Sequence, residues 1–257
     1  MDLELQDKVA LVAGSSRGIG KAIAARLLEE GARVCLTGRD VSALDNCIAG
    51  LGRSHPEGNM LAIPGDFTDE ATIRASLAAI GEKWGGLDIL IANLGSGSGK
   101  SGWEQSEAEW QRVFQLNFWG SVRLAQVAIP ELIKRGGCIV FIASIVGLEM
   151  TAAPLPYSAA KAALINYSKN LARTVAADGV RVNAVAPGNI FFPGGSWERH
   201  FAQRREQVEQ YIAEQVPQKR FGAPEEIAAL VVFLSSSAAA YSTGACYVMD
   251  GGQTHRI

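Results

Sequence analysis

The sequence predicts an α/β fold: a single-domain, Rossmann-like, doubly wound parallel sheet with helices on both faces. Three observations carry this prediction. Short apolar runs of strand length alternate with longer stretches of helical periodicity along the whole chain, the pattern that builds a parallel sheet through crossover helices. A glycine-rich turn, Gly14-Ser-Ser-Arg-Gly18-Ile-Gly20, stands between the first such run and the first helix. The chain has 257 residues, 48% of them hydrophobic, which is enough for one full core, and it shows neither an internal repeat nor a linker. We therefore expect one dinucleotide-binding catalytic domain over 1–257, with a substrate loop or lid at about 188–215.

The first strand is expected at Lys8–Ala13, followed by a helix over Gly18–Glu30 that Gly31 stops. Arg33–Thr37 reads as the second strand, with Asp40 or Ser42 capping the next helix. Met60–Ile63 is the third strand, Asp69–Trp84 a helix and Leu87–Ala92 the fourth strand. Ser106-Glu-Ala-Glu109 has the form of a capping box opening one long helix toward Lys134. Cys138–Ala143 is the fifth strand, and a helix with Pro156 in its first turn runs to about Asp178. Val180–Ala186 is the sixth strand. Pro224-Glu-Glu starts a helix, with acids in its first turn, and Cys246–Met249 is the last strand. The least regular stretches are 94–104 and 187–200.

Composition narrows the function. Lys and Arg number 24 against 26 Asp and Glu, for a formal net charge of −2, and no basic run points to nucleic acid or an anionic membrane. No apolar run reaches spanning length, and the charged N-terminus lacks a signal-peptide core. Cys35, Cys47, Cys138 and Cys246 are scattered without a CxxC, as expected of reduced thiols in a cytoplasmic protein. The three histidines, His55, His200 and His255, are isolated, so no histidine-based metal site is expected.

The chemistry lies in two constellations. A glycine turn between a strand and a helix lets main chain approach a pyrophosphate, while the helix N-terminus offers free N–H groups and positive potential. Gly38, not an acid, ends the second strand, and Arg39 follows. An arginine there suits an adenosine 2′-phosphate, which Arg17 in the glycine turn can also approach. The second constellation is Tyr157 and Lys161, four apart on one helical face, thirteen residues after a strand-end serine, Ser144. A phenol is a poor acid–base near neutrality, and a neighbouring ammonium is expected to lower its pKa. Ser144 can donate a hydrogen bond to a substrate oxygen. Together they describe hydride transfer between a nicotinamide and a carbonyl or alcohol. Gly95-Ser-Gly-Ser-Gly99-Lys100-Ser101 imitates a phosphate-binding P-loop, but its glycine spacing is wrong and Gly102 follows where a helix is required.

Over about residues 7–252 the chain resembles the short-chain dehydrogenase/reductase family. Ala13-Gly-Ser-Ser-Arg-Gly-Ile-Gly20 resembles that family's Thr-Gly-x-x-x-Gly-x-Gly, and Asp66 matches its adenine-contacting aspartate. Ala92-Asn93-Leu94-Gly95 resembles Asn-Asn-Ala-Gly, beside the cofactor. Asn117, Ser144, Tyr157 and Lys161 match the catalytic tetrad, in which the asparagine holds a relay water near the lysine. Pro187-Gly188 matches the turn next to the nicotinamide, with Ile190 near its carboxamide, and Asp250-Gly251-Gly252 also fits. With the arginine argument, this implies NADP(H) contacts from Gly14, Ser16, Arg17, Gly18, Ile19, Gly20, Arg39, Asp66, Phe67, Asn93, Gly95, Tyr157, Lys161, Pro187, Gly188 and Ile190. The departures are Ala13, Ala92, and Phe192 where many members carry a threonine that contacts the nicotinamide amide.

The resemblance is strongest to 3-oxoacyl-[acyl-carrier-protein] reductase-type members. It implies an NADP(H)-dependent enzyme interconverting a ketone or 3-oxoacyl group, free or as an acyl thioester, and a secondary alcohol. The alternatives are an NAD(H)-dependent alcohol, steroid or sugar dehydrogenase, or a catalytically silent nucleotide sensor, against which the complete tetrad argues. The family also implies a homo-oligomer, a tetramer or dimer, built on helices at roughly 106–134 and 156–178. Phe191, Phe192, Trp197, Phe201 and Tyr211, with Gly194-Gly195 as a flexible point, suggest an apolar lid.

Overall fold

The computed structural model describes residues 2–100 and 102–255. Its seven strands, β1 (Val9–Val12), β2 (Arg33–Gly38), β3 (Met60–Pro64), β4 (Ile89–Ala92), β5 (Cys138–Ile142), β6 (Arg181–Pro187) and β7 (Cys246–Met249), form one parallel sheet in the order β3-β2-β1-β4-β5-β6-β7. The helices are α1 (Gly18–Glu29), α2 (Val41–Leu51), α3 (Glu70–Trp84), α4 (Glu107–Phe114), α5 (Gly120–Ile133), α6 (Leu155–Val175), α7 (Ser196–Gln203), α8 (Arg205–Gln215) and α9 (Pro224–Ser235).

The central strands are apolar on both faces because each face is covered. Alternate residues serve opposite cores. Ala10 and Val12, Ile89 and Ile91, and Val140 and Ile142 pack with Ile23, Leu27, Leu44 and Val231 of α1, α2 and α9. Val9 and Leu11, Leu90, and Ile139 and Phe141 pack with Ile73, Ile80, Leu124, Leu132 and Leu164 of α3, α5 and α6. This period of two is the geometry of a strand. Strand order reverses between β1 and β4, and the crevice at the carboxyl ends of those strands is where such sheets bind ligands. Among the described residues no helix is long and apolar enough to cross a membrane.

Caps fall where the sequence placed them. Asp40 accepts from Ala43 N at 3.0 Å, and Ser106 Oγ from Glu109 N at 3.3 Å. The capping box is not reciprocal, because Glu109 turns its carboxylate to Arg112 at 2.8 Å. The expected single helix from Ser106 to Lys134 is likewise corrected. Between α4 and α5 the chain makes a π-helical turn over Gln115–Trp119, in which Gly120 N reaches five residues back to Gln115 O. The cause is visible at Asn117. Its Nδ2 donates to Val113 O at 3.0 Å, taking an acceptor that belongs to the α-helical ladder.

Candidate active site

The glycine loop is shaped by what cannot fit in it. A Cβ on Gly20 would lie 2.3 Å from Gly14 O and 2.6 Å from Asn93 Nδ2, so only glycine lets α1 start so close to β1 and β4. Gly14 and Gly18 hold φ of +66° and +55°. Below the loop, Gly14 N donates to Thr37 Oγ1 at 3.0 Å, and Ser15 Oγ ties Thr37 N at 2.8 Å to Val12 O at 2.8 Å. Asn93 Nδ2 donates to Gly14 O at 3.1 Å, which makes it a brace of this loop.

At the start of α1 neither a capping side chain nor an acid occupies the first turn. Arg17 and Arg39 are exposed, and Asp40, whose carboxyl feels the Arg17 charge, is committed to its cap at Ala43, which holds it below the usual range. Main-chain donors, close glycines and two arginines without an ion-pair partner fit a dinucleotide with an additional phosphate. Ser16 lies beside Gly38, where a Cβ would come within 3.2 Å of its Oγ. Asp66, exposed past the end of β3, accepts from Thr68 N and Oγ1 at 2.9 and 2.8 Å. Phe67 and Ile190 bury their side chains in the core, at 2% and 7% exposure. Gly188 passes β7 so closely that a Cβ would lie 2.7 Å from Asp250 Cα.

The catalytic candidates converge at the ends of β4 and β5. Ser144 follows β5, is buried, and begins the 3-10 turn Ile145–Gly147, accepting from Val146 N at 3.4 Å. The Tyr157 phenol lies near enough that Ser144 pulls its pKa down. Lys161, one turn along α6, is 3% exposed and donates to Ile142 O at 2.8 Å. Asn117 Oδ1 accepts from Ser96 N at 2.9 Å. A Cβ on Gly95 would lie 2.8 Å from Asn117 Oδ1 and 3.0 Å from Lys161 Nζ, so the glycine marks where the loop after β4 slides between them. The π turn thus carries Asn117 inward to the lysine.

One expectation is corrected here. Burial raises the Tyr157 phenol pKa, with Ser144 opposing, and no lowering by Lys161 contributes. The Lys161 ammonium is turned to the Ile142 carbonyl and is itself pushed down to about 8 by burial.

Several features lay beyond the sequence reading. Gly97 runs under the Tyr157 ring, with a Cβ there 3.6 Å from Cε1. The Lys100 segment precedes no helix before α4 at Glu107, in keeping with rejection of the P-loop, while Ser101 lies outside the described residues. Phe191, Trp197, Phe201 and Tyr211 do not spread along an inner face. They pack on one another and on Phe221, with Trp197 stacked on Tyr211 at 5.5 Å. Only Phe192 turns to the cofactor crevice, where a Cβ on Gly18 would meet its ring at 2.5 Å.

Comparison with known proteins agrees with this geometry. A family model described as enoyl-(acyl carrier protein) reductase matches residues 13–254. The chain is 39% identical over 251 residues to the 3-oxoacyl-[acyl-carrier-protein] reductase FabG of Vibrio cholerae, covering 97% of this chain and 98% of the relative. It is 36% identical over 254 residues to the rhamnolipids biosynthesis 3-oxoacyl-[acyl-carrier-protein] reductase of Pseudomonas aeruginosa, covering 96% of each. The L-sorbose reductase of Gluconobacter frateurii, solved with NADPH and L-sorbose, superposes with a TM-score of 0.91 at 34% identity over 100% of both chains. The Pseudomonas aeruginosa RhlG/NADP active-site complex gives 0.88 at 35% identity over 98% of each.

Proposed function

The chain belongs to the short-chain dehydrogenase/reductase family, and on that footing we propose that it is an NADP(H)-dependent reductase converting a ketone, foremost a 3-oxoacyl group, to a secondary alcohol. The observation that carries this reading is the convergence of Ser144, the Tyr157 phenol and the buried Lys161 at the end of β5, next to the glycine loop. The relatives described above, two 3-oxoacyl reductases among them, support the substrate class.

NADPH supplies the hydride when bound. Gly14, Ser16, Gly18, Ile19 and Gly20 would hold its pyrophosphate, Arg17 and Arg39 its 2′-phosphate, and Asp66 its adenine. The main chain at Phe67, Asn93, Gly95, Pro187, Gly188 and Ile190 would line the rest. A carbonyl oxygen placed against Ser144 and Tyr157 accepts from both hydroxyls. Ser144 polarises and positions it, and Tyr157 gives up its proton as negative charge develops on that oxygen. A phenol whose pKa is raised by burial is fully protonated at neutral pH, which suits the reductive direction. Lys161 would anchor the nicotinamide ribose, while Asn117, holding the loop at Ser96, lies where a relay of protons to solvent would pass.

Tyr157→Phe should lower turnover by at least ~10²-fold while NADPH binding persists, as expected for loss of a positioned proton donor. Near-normal turnover would refute the assignment. The likeness to L-sorbose reductase favours a ketose as a second reading. Acetoacetyl-coenzyme A and L-sorbose, compared by kcat/KM, separate the two.

We further read α7–α8 as the lid over this site, with the cytoplasm as the protein's location. Assembly of copies through α5 and α6 is part of the same reading, motivated by Trp119 and Ile133, which stay 47% and 40% exposed. The alanines of α6 divide, since Ala160 is buried within the chain while Ala162 is exposed. A monomer by light scattering at micromolar concentration would end the assembly idea.

A further inference from the structure

After β7 the chain does not simply run out. Asp250 Oδ1 and Oδ2 accept from Gly252 N at 2.9 Å and Thr254 N at 2.6 Å, and Gly251 and Gly252 take φ of +68° and +86°. This turn fixes the direction of the three residues that follow, which run from α8 to the turn after β5. At one end Gln253 Nε2 donates to the Tyr211 hydroxyl of α8 at 2.7 Å. At the other, His255 N donates to both Glu149 carboxylate oxygens, at 2.9 and 3.0 Å.

Each anchor continues into the site. Tyr211 is stacked on Trp197, which ties the tail to the aromatic body of α7 and α8. Glu149 N donates to Ile145 O at 3.1 Å, and Gly147 N to Ser144 O at 3.1 Å, so the carboxylate sits on the turn that carries the catalytic serine. Its side chain is only 15% exposed, although the His255 end of the contact lies at the surface. Two residues of chain reach at most about 7 Å, and α8 and that turn are therefore held at a short, fixed spacing.

We propose that Gln253–His255 is a strap that sets the width of the carbonyl-binding crevice by tying α8 to the Ser144–Glu149 turn. Tyr211 and Glu149 are its anchors, and both are positioning residues that act through Trp197 and Ser144. The inference rests on the reading of that crevice as the carbonyl site. It assigns the strap a role in substrate fit, and none in cofactor affinity, because neither anchor touches the glycine loop.

The test compares wild type with Tyr211→Phe, Glu149→Leu, their double variant, and a chain ending at Gly252. Amide hydrogen exchange is read at 145–154 and 196–215, alongside NADPH affinity from its fluorescence and KM for acetoacetyl-coenzyme A and for a small diketone. Tyr211→Phe should speed exchange at 145–154, across the crevice from the substitution. It should raise KM for the larger substrate about five- to tenfold, the scale of one lost hydrogen bond, and leave NADPH affinity within about twofold. The double variant should add little to either single one, because both cut the same strap. Exchange at 145–154 that ignores both Tyr211→Phe and truncation would overturn the strap, as would NADPH affinity falling in step with KM. Absence of turnover on every carbonyl would instead refute the catalytic reading, and the exchange result would still decide the strap.

Discussion

Replacing Lys161 with methionine should abolish turnover and yet make the fold more stable. The ammonium is 3% exposed, and its hydrogen-bond acceptor among the described residues is the Ile142 carbonyl at 2.8 Å. Burial pushes its pKa from 10.5 to about 8. At about 1.4 kcal/mol per pKa unit, the fold disfavours the charged amine by roughly 3 kcal/mol. Methionine fills a similar volume without the charge but leaves Ile142 O unpaired, a loss of about 1 kcal/mol. The variant should therefore gain about 2 kcal/mol at pH 7, or roughly 4–8 °C in Tm for a chain of this size. Linkage gives the sign of the pH dependence. Below pH 8 the lysine is charged both folded and unfolded, and the full penalty applies. Between about 8 and 10.5 the unfolded chain binds the extra proton, so wild type gains stability as pH rises. Denaturant unfolding of both proteins at pH 7 and pH 10 checks this. The gap should shrink at the higher pH. A variant less stable than wild type at pH 7, or a gap independent of pH, would refute the argument.

Three other outcomes follow from the site. Arg39→Ala should lower kcat/KM with NADPH by about tenfold or more while sparing NADH, the scale of a charge-assisted contact, and equal wild-type use of the two cofactors would contradict the 2′-phosphate assignment. Gly18→Ala forces a left-handed φ, at about 1–2 kcal/mol, and drives the new methyl into Phe192. Thermal melts should show Phe192→Ala restoring the steric part in the double variant, and no restoration would mean the ring is not there. Alcohol oxidation needs the phenolate of Tyr157, whose pKa burial raises, so its rate should still be climbing at pH 9, and a plateau below pH 8 would place a different group in the acid–base role.

Much of the fold was legible because its signals are local. Apolar strand runs, Asp40 and Ser106 caps, Pro224 at a helix start and Gly31 in a left-handed stop are each decided by a few neighbouring residues. The doubly wound sheet follows once those elements alternate. The catalytic set was legible for the same reason, since Tyr157 and Lys161 share a helical face and Ser144 ends a strand. What stayed hidden depends on contacts distant in sequence. Phe192 meets Gly18 across 174 residues, and His255 meets Glu149 across 106. The direction of the Tyr157 pKa was misjudged because spacing places Lys161 nearby but cannot show that its ammonium turns to Ile142.

The π turn shows how a functional residue can erase its own sequence signal. The heptad-like apolar pattern from Val113 through Leu124 to Leu132 reads as one uninterrupted helix, and these three residues are buried as that pattern requires. A fifth residue in the turn leaves this pattern nearly intact, because it rotates the following helix by less than the width of its apolar stripe. The change falls on Asn117. In an unbroken helix its main-chain N–H would take Val113 O. Here the side-chain Nδ2 donates to it, and this fixes the carboxamide with Oδ1 accepting from Ser96 N, which seats the loop after β4 against Lys161. Substituting Asn117 with leucine, which suits the helix better, should therefore straighten the turn and release the Gly95–Ser96 loop. Turnover should fall while Tm holds or rises, and amide exchange at 94–98 should quicken. If Asn117→Leu leaves that exchange unchanged, the π turn is set by packing of its neighbours and the asparagine is not its cause.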